Sequence, residues 1–176
     1  MANGRNDCGT RALGERGKEL VEDLFRHNGY LVQKPYMANA GDFIDFIATG
    51  HNAQVKVFVR TDTRICVSDN VVIERFTHRA SGPEIGWLFK GRADLLCYLD
   101  AHKGTVYFFD WRALKDYVTT HCKARPFRNP YDDNATGDAY IVSVHELMKA
   151  GGLCSGTCHV NVSALQALAP NQPAPF

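Results

Sequence analysis

An acidic residue, an amide and a lysine lie close together on two segments that the sequence predicts to be neighbouring strands. Asp45 lies in the β-rich segment 43–48, and Gln54 and Lys56 lie in 53–60, beyond a short turn-like stretch. In the second segment three valines alternate with polar residues, which places Gln54 and Lys56 on one face. Because a short turn pairs such segments as a hairpin, we expect the three side chains to meet at one point of a sheet.

This combination of groups suits the hydrolysis of a phosphodiester bond. Mg²⁺ or Mn²⁺ takes oxygen ligands such as a carboxylate, an amide or backbone carbonyl and water. The ion stabilises charge on the phosphate and helps to form hydroxide, while a neighbouring lysine neutralises charge in the transition state. The interpretation requires that Asp45 and Lys56 lie on the same face of the sheet.

A helix is predicted ahead of these strands. Apolar residues recur at three- and four-residue spacing over 13–28, and Gly29 follows as a C-terminal stop. Glu15, Glu19 and Asp23, at four-residue spacing, are typical of a solvated face; in the functional alternative Glu19, or failing that Glu15, reaches the metal. The order of a helix, three strands and then mixed elements predicts an α/β (α+β) domain around a central sheet.

Several short motifs of the chain resemble the PD-(D/E)XK nuclease superfamily, and in particular its small phage-type, Holliday-junction-resolvase-like members. The resemblance covers roughly residues 13–118. Its motifs are Gly17-Lys18-Glu19-Leu20-Val21, Asn28-Gly29-Tyr30, Asp45-Phe46-Ile47, Gln54-Val55-Lys56, the run 90–99, Val106-Tyr107-Phe108-Phe109 and Trp111-Arg112-Ala113-Leu114.

The resemblance implies a restriction-endonuclease-like αβββαβ core with a central mixed sheet flanked by helices. It also implies an Mg²⁺- or Mn²⁺-dependent endonuclease that cuts DNA, with branched or recombining DNA and a phage origin among the expectations. By the resemblance, Asp45 is the metal carboxylate, with Asp42 as its rival because the loop to the next strand is short. The amide oxygen of Gln54 and the carbonyl of Val55 complete the metal ligands, and Lys56 is the catalytic lysine.

An uncharged residue at position 54 keeps a second interpretation open. Gln54 brings no charge to the metal, so the chain is alternatively a catalytically inactive nuclease-fold protein that binds DNA or inhibits a partner. In either case DNA is the expected partner, and duplex cutting favours a homodimer. The basic side chains expected to follow its phosphates are those of Arg60, Arg64, Arg75, Arg79, Lys90 and Arg92.

Composition sets the remaining limits. The 176 residues are 45% hydrophobic and 22% charged, with a formal net charge of +1, which predicts a globular protein without a global basic field. We expect a flexible arm over 1–10, one domain over 11–168 and a disordered tail over 169–176. The sequence has no apolar run long enough for a membrane span and no leader-like start, which predicts a cytoplasmic protein of a bacterial or phage-infected cell.

Six cysteines are scattered along the chain, and reduced thiols are the expectation. One cluster of metal-binding residue types, Cys154, Cys158 and His159, suggests a zinc-stabilised interaction domain as a third interpretation. The pair His121-Cys122 would extend this cluster. The spacing lacks a second matched pair of ligands, so we favour free thiols in a Gly-rich turn.

Overall fold

The computed structural model describes residues 5–36, 41–50, 52–79, 82–128, 136–161 and 163. In these residues the helices are α1 (Arg5–His27), α2 (Ile65–Ser68), α3 (Trp87–Lys90), α4 (Trp111–His121) and α5 (Val144–Lys149). The strands are β1 (Leu31–Gln33), β2 (Phe46–Gly50), β3 (Ala53–Asp62), β4 (Asn70–Arg79), β5 (Gly82–Ile85), β6 (Leu95–Asp100), β7 (Thr105–Asp110), β8 (Arg125–Arg128), β9 (Thr136–Ser143) and β10 (Cys154–His159).

The strands form two sheets. The central sheet has six strands in the order β1-β2-β3-β6-β7-β10, and it is mixed because β3 and β6 run parallel while the other pairs are antiparallel. The second sheet is antiparallel, with the order β5-β4-β9-β8. The predicted α+β class with a central mixed sheet flanked by helices is therefore confirmed.

Alternation along β3 decides what each face of the central sheet carries. Val57 and Val59 are buried beneath α1, together with Phe46 of β2 and Val21 of the helix. Phe58 points to the other face, where it joins a separate core formed with α3, α4, α5 and the second sheet. The central sheet is thus covered on both sides, with α1 on one side only.

Helix α1 lies unusually close to β3 at a glycine. A Cβ atom added at Gly17 would lie 1.9 Å from Oγ1 of Thr61, so no larger residue fits there without movement. The helix ends where the sequence predicts, because Gly29 has a φ of 82°, which favours glycine. Near this end the buried carboxylate of Glu22 pairs with Arg26 and with Lys34 beyond β1.

Several predicted elements need correction. Helix α1 begins at Arg5, inside the stretch expected to be a loose arm, while residues 1–4 and the predicted tail lie outside the described residues. The connection from β3 to the parallel strand β6 contains β4 and β5 besides two short helices, an arrangement that was not predicted from the sequence. Strands β4 and β5 of this connection belong to the second sheet, in which β4 pairs with β9, a strand far from it in the sequence.

No helix in the described part of the chain is long and apolar enough to cross a membrane.

Candidate active site

Asp45 lies at the point where β2 separates from β3. Its backbone N–H donates to the carbonyl of Val57 at 2.8 Å, and its carboxylate Oδ2 accepts from the N–H of Val59 at 2.7 Å. The carboxylate therefore replaces the backbone carbonyl that a longer β2 would have offered to β3. This hydrogen bond fixes the orientation of a side chain that is only 12% exposed.

The other carboxylate oxygen of Asp45 faces helix α1. The ammonium of Lys18 lies 2.9 Å from Asp45 Oδ1 and 3.1 Å from Glu15 Oε1, so one cation bridges two carboxylates. Glu15 and Lys18 are three residues apart on the helix, which places them on one face. The structure thus assembles two acids and one lysine at the end of β2.

The electrostatics of the site favour a positive charge between the two acids. Burial lowers the pKa of Lys18, but the hydrogen bond and charge of Asp45, followed by those of Glu15, outweigh burial and raise that pKa above its ordinary value. The thiol of Cys97 lies within the core on the α1 face, and its pKa is raised well above the ordinary value by burial and then by the charge of Asp45. The contact with Lys18 places the Asp45 carboxylate on the α1 side of the sheet, and the effect on Cys97 agrees with that position.

The expected meeting of Asp45 with Gln54 and Lys56 is not observed. The strand register pairs Phe46 with Val57, Ile47 with Lys56 and Thr49 with Gln54. Asp45 bonds to Val57 through its backbone N–H, and Val57 lies three strand positions from Gln54, or about 10 Å. Gln54 is exposed, and its amide contacts the hydroxyl of Thr49 at 3.5 Å.

Lys56 also differs from Asp45 in the face that it occupies. It lies between Val55 and Val57, which pack toward α1, so alternation turns its exposed side chain to the opposite side. Its backbone is held by Asp94, whose carboxylate accepts from the Lys56 N–H at 2.9 Å. The requirement that Asp45 and Lys56 share a face is therefore not met, and the nuclease site predicted from Asp45, Gln54 and Lys56 is not formed.

The remaining predicted metal ligands are dispersed. Glu19 pairs with Arg16 at 2.6 Å, so the helix acid near Asp45 is Glu15, the second of the two alternatives. Asp42 lies beside Arg92, with 3.8 Å between Oδ1 and Nε, and its carbonyl accepts from the Arg92 N–H at 2.8 Å. Val55 pairs with Ala48 inside the hairpin.

The predicted phosphate-binding residues do not line one groove. The guanidinium of Arg60 lies over the ring of Trp87 and pairs with Glu74 at 3.1 Å. Arg75 lies over the ring of Phe76, and Arg92 is 78% exposed beside Asp42. Arg64 and Lys90 are exposed, and the side chain of Arg79 lies outside the described part of the chain. Arg60 is thus held by an ion pair with Glu74 of β4.

The suggested zinc ligands do not converge. A β-bulge between Cys154 and Gly156 changes the alternation of β10, so Cys154 packs against the core that contains Phe58 while Cys158 lies beside Phe25 and Leu95 on the α1 face. His159 contacts Thr105. Among the described residues, no group of three or more His, Cys, Asp or Glu side chains is placed to hold a metal ion.

Sequence reasoning did not single out Lys18. A signal was present, because Lys18 follows Glu15 by three residues on a predicted helix and adjoins the close-contact residue Gly17. A residue beside the closest approach of a helix to a sheet is the one whose side chain can reach the sheet.

The fold and the site define an α+β protein with a two-carboxylate, one-lysine cluster at the end of a central strand. No protein-family model and no curated protein matches the sequence. Among solved structures, the chain is similar to the bacterial homing endonuclease I-Ssp6803I, with a TM-score of 0.49 and 16% sequence identity. The similarity covers 61% of this chain and 73% of the other.

Proposed function

We propose that the protein is a metal-dependent DNA endonuclease whose site is formed by Asp45, Glu15 and Lys18. The observation that carries the proposal is the bridging ammonium of Lys18, 2.9 Å from one carboxylate and 3.1 Å from the other. A pair of acids that holds a cation in this way is a place where a divalent cation is also favourable. In this proposal the metal acid is Asp45, as the sequence predicts, and the lysine comes from α1.

The donor set fits Mg²⁺ or Mn²⁺. Mg²⁺ is commonly bound through one or two carboxylates, with water and substrate phosphates as its other ligands. Asp45 and Glu15 would hold the ion, with Asp45 rigidly oriented by Val59 and Glu15 more freely placed, since its side chain is 63% exposed. When bound, the ion would supply charge stabilisation on the phosphate and a lower pKa for an attacking water.

The chain's own residues then position the substrate. The side chain of Lys18 is 27% exposed, so its ammonium can turn from Glu15 toward a phosphate oxygen while it stays near Asp45. Its raised pKa keeps it protonated at neutral pH, where it donates hydrogen bonds to the charge that develops on the phosphate.

A second candidate function is DNA binding without cleavage, and one observation favours it. The residues of β3 that bond to Asp45 are Val57 and Val59, which meet it through backbone groups and whose apolar side chains are buried beneath α1. The third strand therefore contributes no oxygen ligand side chain beside Asp45.

The two candidates are separated by measuring binding and cleavage side by side. Purified protein is incubated with supercoiled plasmid and with four-way junction DNA, with Mg²⁺, with Mn²⁺ and with EDTA. Cleavage that EDTA abolishes supports the endonuclease. Binding of the DNA without cleavage under every condition supports the binding protein. In both cases we expect affinity to fall steeply as salt rises, because phosphate contacts release counterions. Absence of both binding and cleavage would contradict both candidates.

A further inference from the structure

A cleft of about 260 Å³ opens on the side of the central sheet opposite α1. Its walls come from β3 and β6 of the central sheet and from β4, β8 and β9 of the second sheet. Asp45, Glu15 and Lys18 are not among its lining residues, so it is distinct from the candidate active site.

The polar wall of the cleft carries balanced charge. Arg60 pairs with Glu74 at 3.1 Å, and the hydroxyl of Tyr98 donates to Asp62 Oδ2 at 2.6 Å. With Arg64 at the cleft as well, two arginines face two carboxylates. A site without net charge favours neither a free phosphate nor a metal ion, since either would leave charge uncompensated.

These polar groups are nevertheless able to recognise a neutral polar ligand. A guanidinium has five N–H donors and a carboxylate has about four acceptor positions, so an ion pair can offer both kinds of group to one ligand edge. Arg60 is held over the Trp87 ring, and Tyr98 is buried, so both are fixed in position before a ligand arrives. Fixed donors and acceptors side by side match the hydrogen-bonding edge of a nucleobase.

Apolar side chains form much of the remaining lining, together with Ser68 and Asn70. Phe127 of β8 lines the cleft, and so do Val72 and Ile141, which are paired across β4 and β9. Ile141 is 39% exposed, although it is a large apolar side chain. An aromatic ring with apolar neighbours beside fixed polar groups is an arrangement on which unpaired bases stack.

We propose that this cleft binds one unpaired nucleobase of single-stranded or branched DNA. The inference rests on the proposed function insofar as DNA is the partner. Pockets for drug-sized ligands begin at about 300 Å³, so a cleft of this size takes a group as small as one base. A base within a duplex is stacked on both faces and paired at its Watson–Crick edge, so the cleft distinguishes unpaired from paired DNA.

The test measures the affinity for a single-stranded thymidine oligonucleotide that carries one 2-aminopurine. We expect the 2-aminopurine fluorescence to change on binding, and Phe127→Ala and Ile141→Ala to weaken binding about 5- to 100-fold, the scale of one lost base stack. The matched control is Ile85→Ala, which removes an exposed isoleucine from β5 of the same sheet, outside the cleft. That variant should bind as the wild type does.

A parallel titration with the fully paired duplex separates the two proposals. Unchanged single-strand affinity in Phe127→Ala would overturn the proposal that the cleft binds an unpaired base. Equal losses of affinity for single strand and duplex would do the same, and neither result would contradict the proposed function. A wild-type protein that binds neither DNA would overturn both. If Phe127→Ala fails to fold, Phe127→Leu keeps the apolar packing and removes the aromatic face, and the same loss is expected.

Discussion

The ammonium of Lys18 lies 2.9 Å from Oδ1 of Asp45 and so joins the first helix to the point where β2 leaves β3. The other carboxylate oxygen of Asp45 accepts from Val59 in β3, so one carboxylate connects three elements. Any cation that approaches Asp45 meets Lys18 as a competitor and any phosphate meets it as a partner. The behaviour of variants at these two residues follows from that position.

Substitution of Lys18 should separate its effect on cleavage from its effect on metal binding. In Lys18→Ala we expect cleavage to fall by about 10²-fold, the scale of one lost group that stabilises transition-state charge. Mn²⁺ should bind at least as tightly as in the wild type, because the competing ammonium is gone. Lys56→Ala is the matched control and should cleave normally; the reverse result, with Lys56 essential and Lys18 dispensable, would restore the assignment made from the sequence.

Asp45 should have a structural contribution that an amide preserves and an alanine does not. Asp45→Asn keeps an acceptor for the Val59 N–H, whereas Asp45→Ala removes a charge-assisted hydrogen bond worth about 1.5–3 kcal/mol. Both variants should lose cleavage, and only the alanine variant should lose most of that stability in urea unfolding. Cleavage retained by Asp45→Asn would show that the carboxylate has no role in the chemistry.

Much of the fold was predictable because the local spacing of apolar residues indicates which side of each helix or strand is buried. The valines of β3 predict its core face, the spacing in α1 predicts its apolar face, and Gly29 predicts its end. The second sheet was not predictable in the same way, because β4 pairs with β9, a strand far from it in the sequence. Local patterns do not record such a pairing.

The site was only partly predictable for a related reason. The sequence places Asp45 at the start of the second strand, as the structure does, but the partners of its side chain depend on the hairpin register. The register, fixed by a turn that pairs Gly50 with Ala53, places Gln54 and Lys56 nearer the turn than Asp45. Lys18 was missed because its contact with Asp45 depends on how α1 crosses the sheet.

The close contact between α1 and β3 predicts opposite effects for two glycines of one helix. Gly17→Ala puts a Cβ 1.9 Å from Thr61 Oγ1, and overpacking of this kind costs about 1–3 kcal/mol. Gly14→Ala meets nothing within 4 Å and should instead stabilise the helix by about 1 kcal/mol. Thermal unfolding should show a lower Tm for the first and a higher Tm for the second. Equal shifts would contradict the placement of α1.

The phenol of Tyr98 should make stability depend on alkaline pH. Burial, and then the charge of Asp62, raise the pKa of Tyr98 well above its ordinary 10.0. Because the folded pKa is raised, the stabilisation is fully present below pH 10.0 and is lost as pH rises above that value. The free energy of unfolding, measured in urea above this pH, should therefore fall more steeply with pH for the wild type than for Tyr98→Phe. Parallel decline of the two proteins would show that Tyr98 ionises normally while folded.

The position of a bound metal tests the central claim most directly. Crystals of the wild-type protein soaked in Mn²⁺ should show anomalous density between the carboxylates of Asp45 and Glu15, with the Lys18 ammonium displaced from between them. The same soak of Asp45→Asn should leave that position without density. Anomalous density at Asp42, at Gln54 or elsewhere in a protein that cleaves DNA would contradict the assignment of Asp45, Glu15 and Lys18 as the active site.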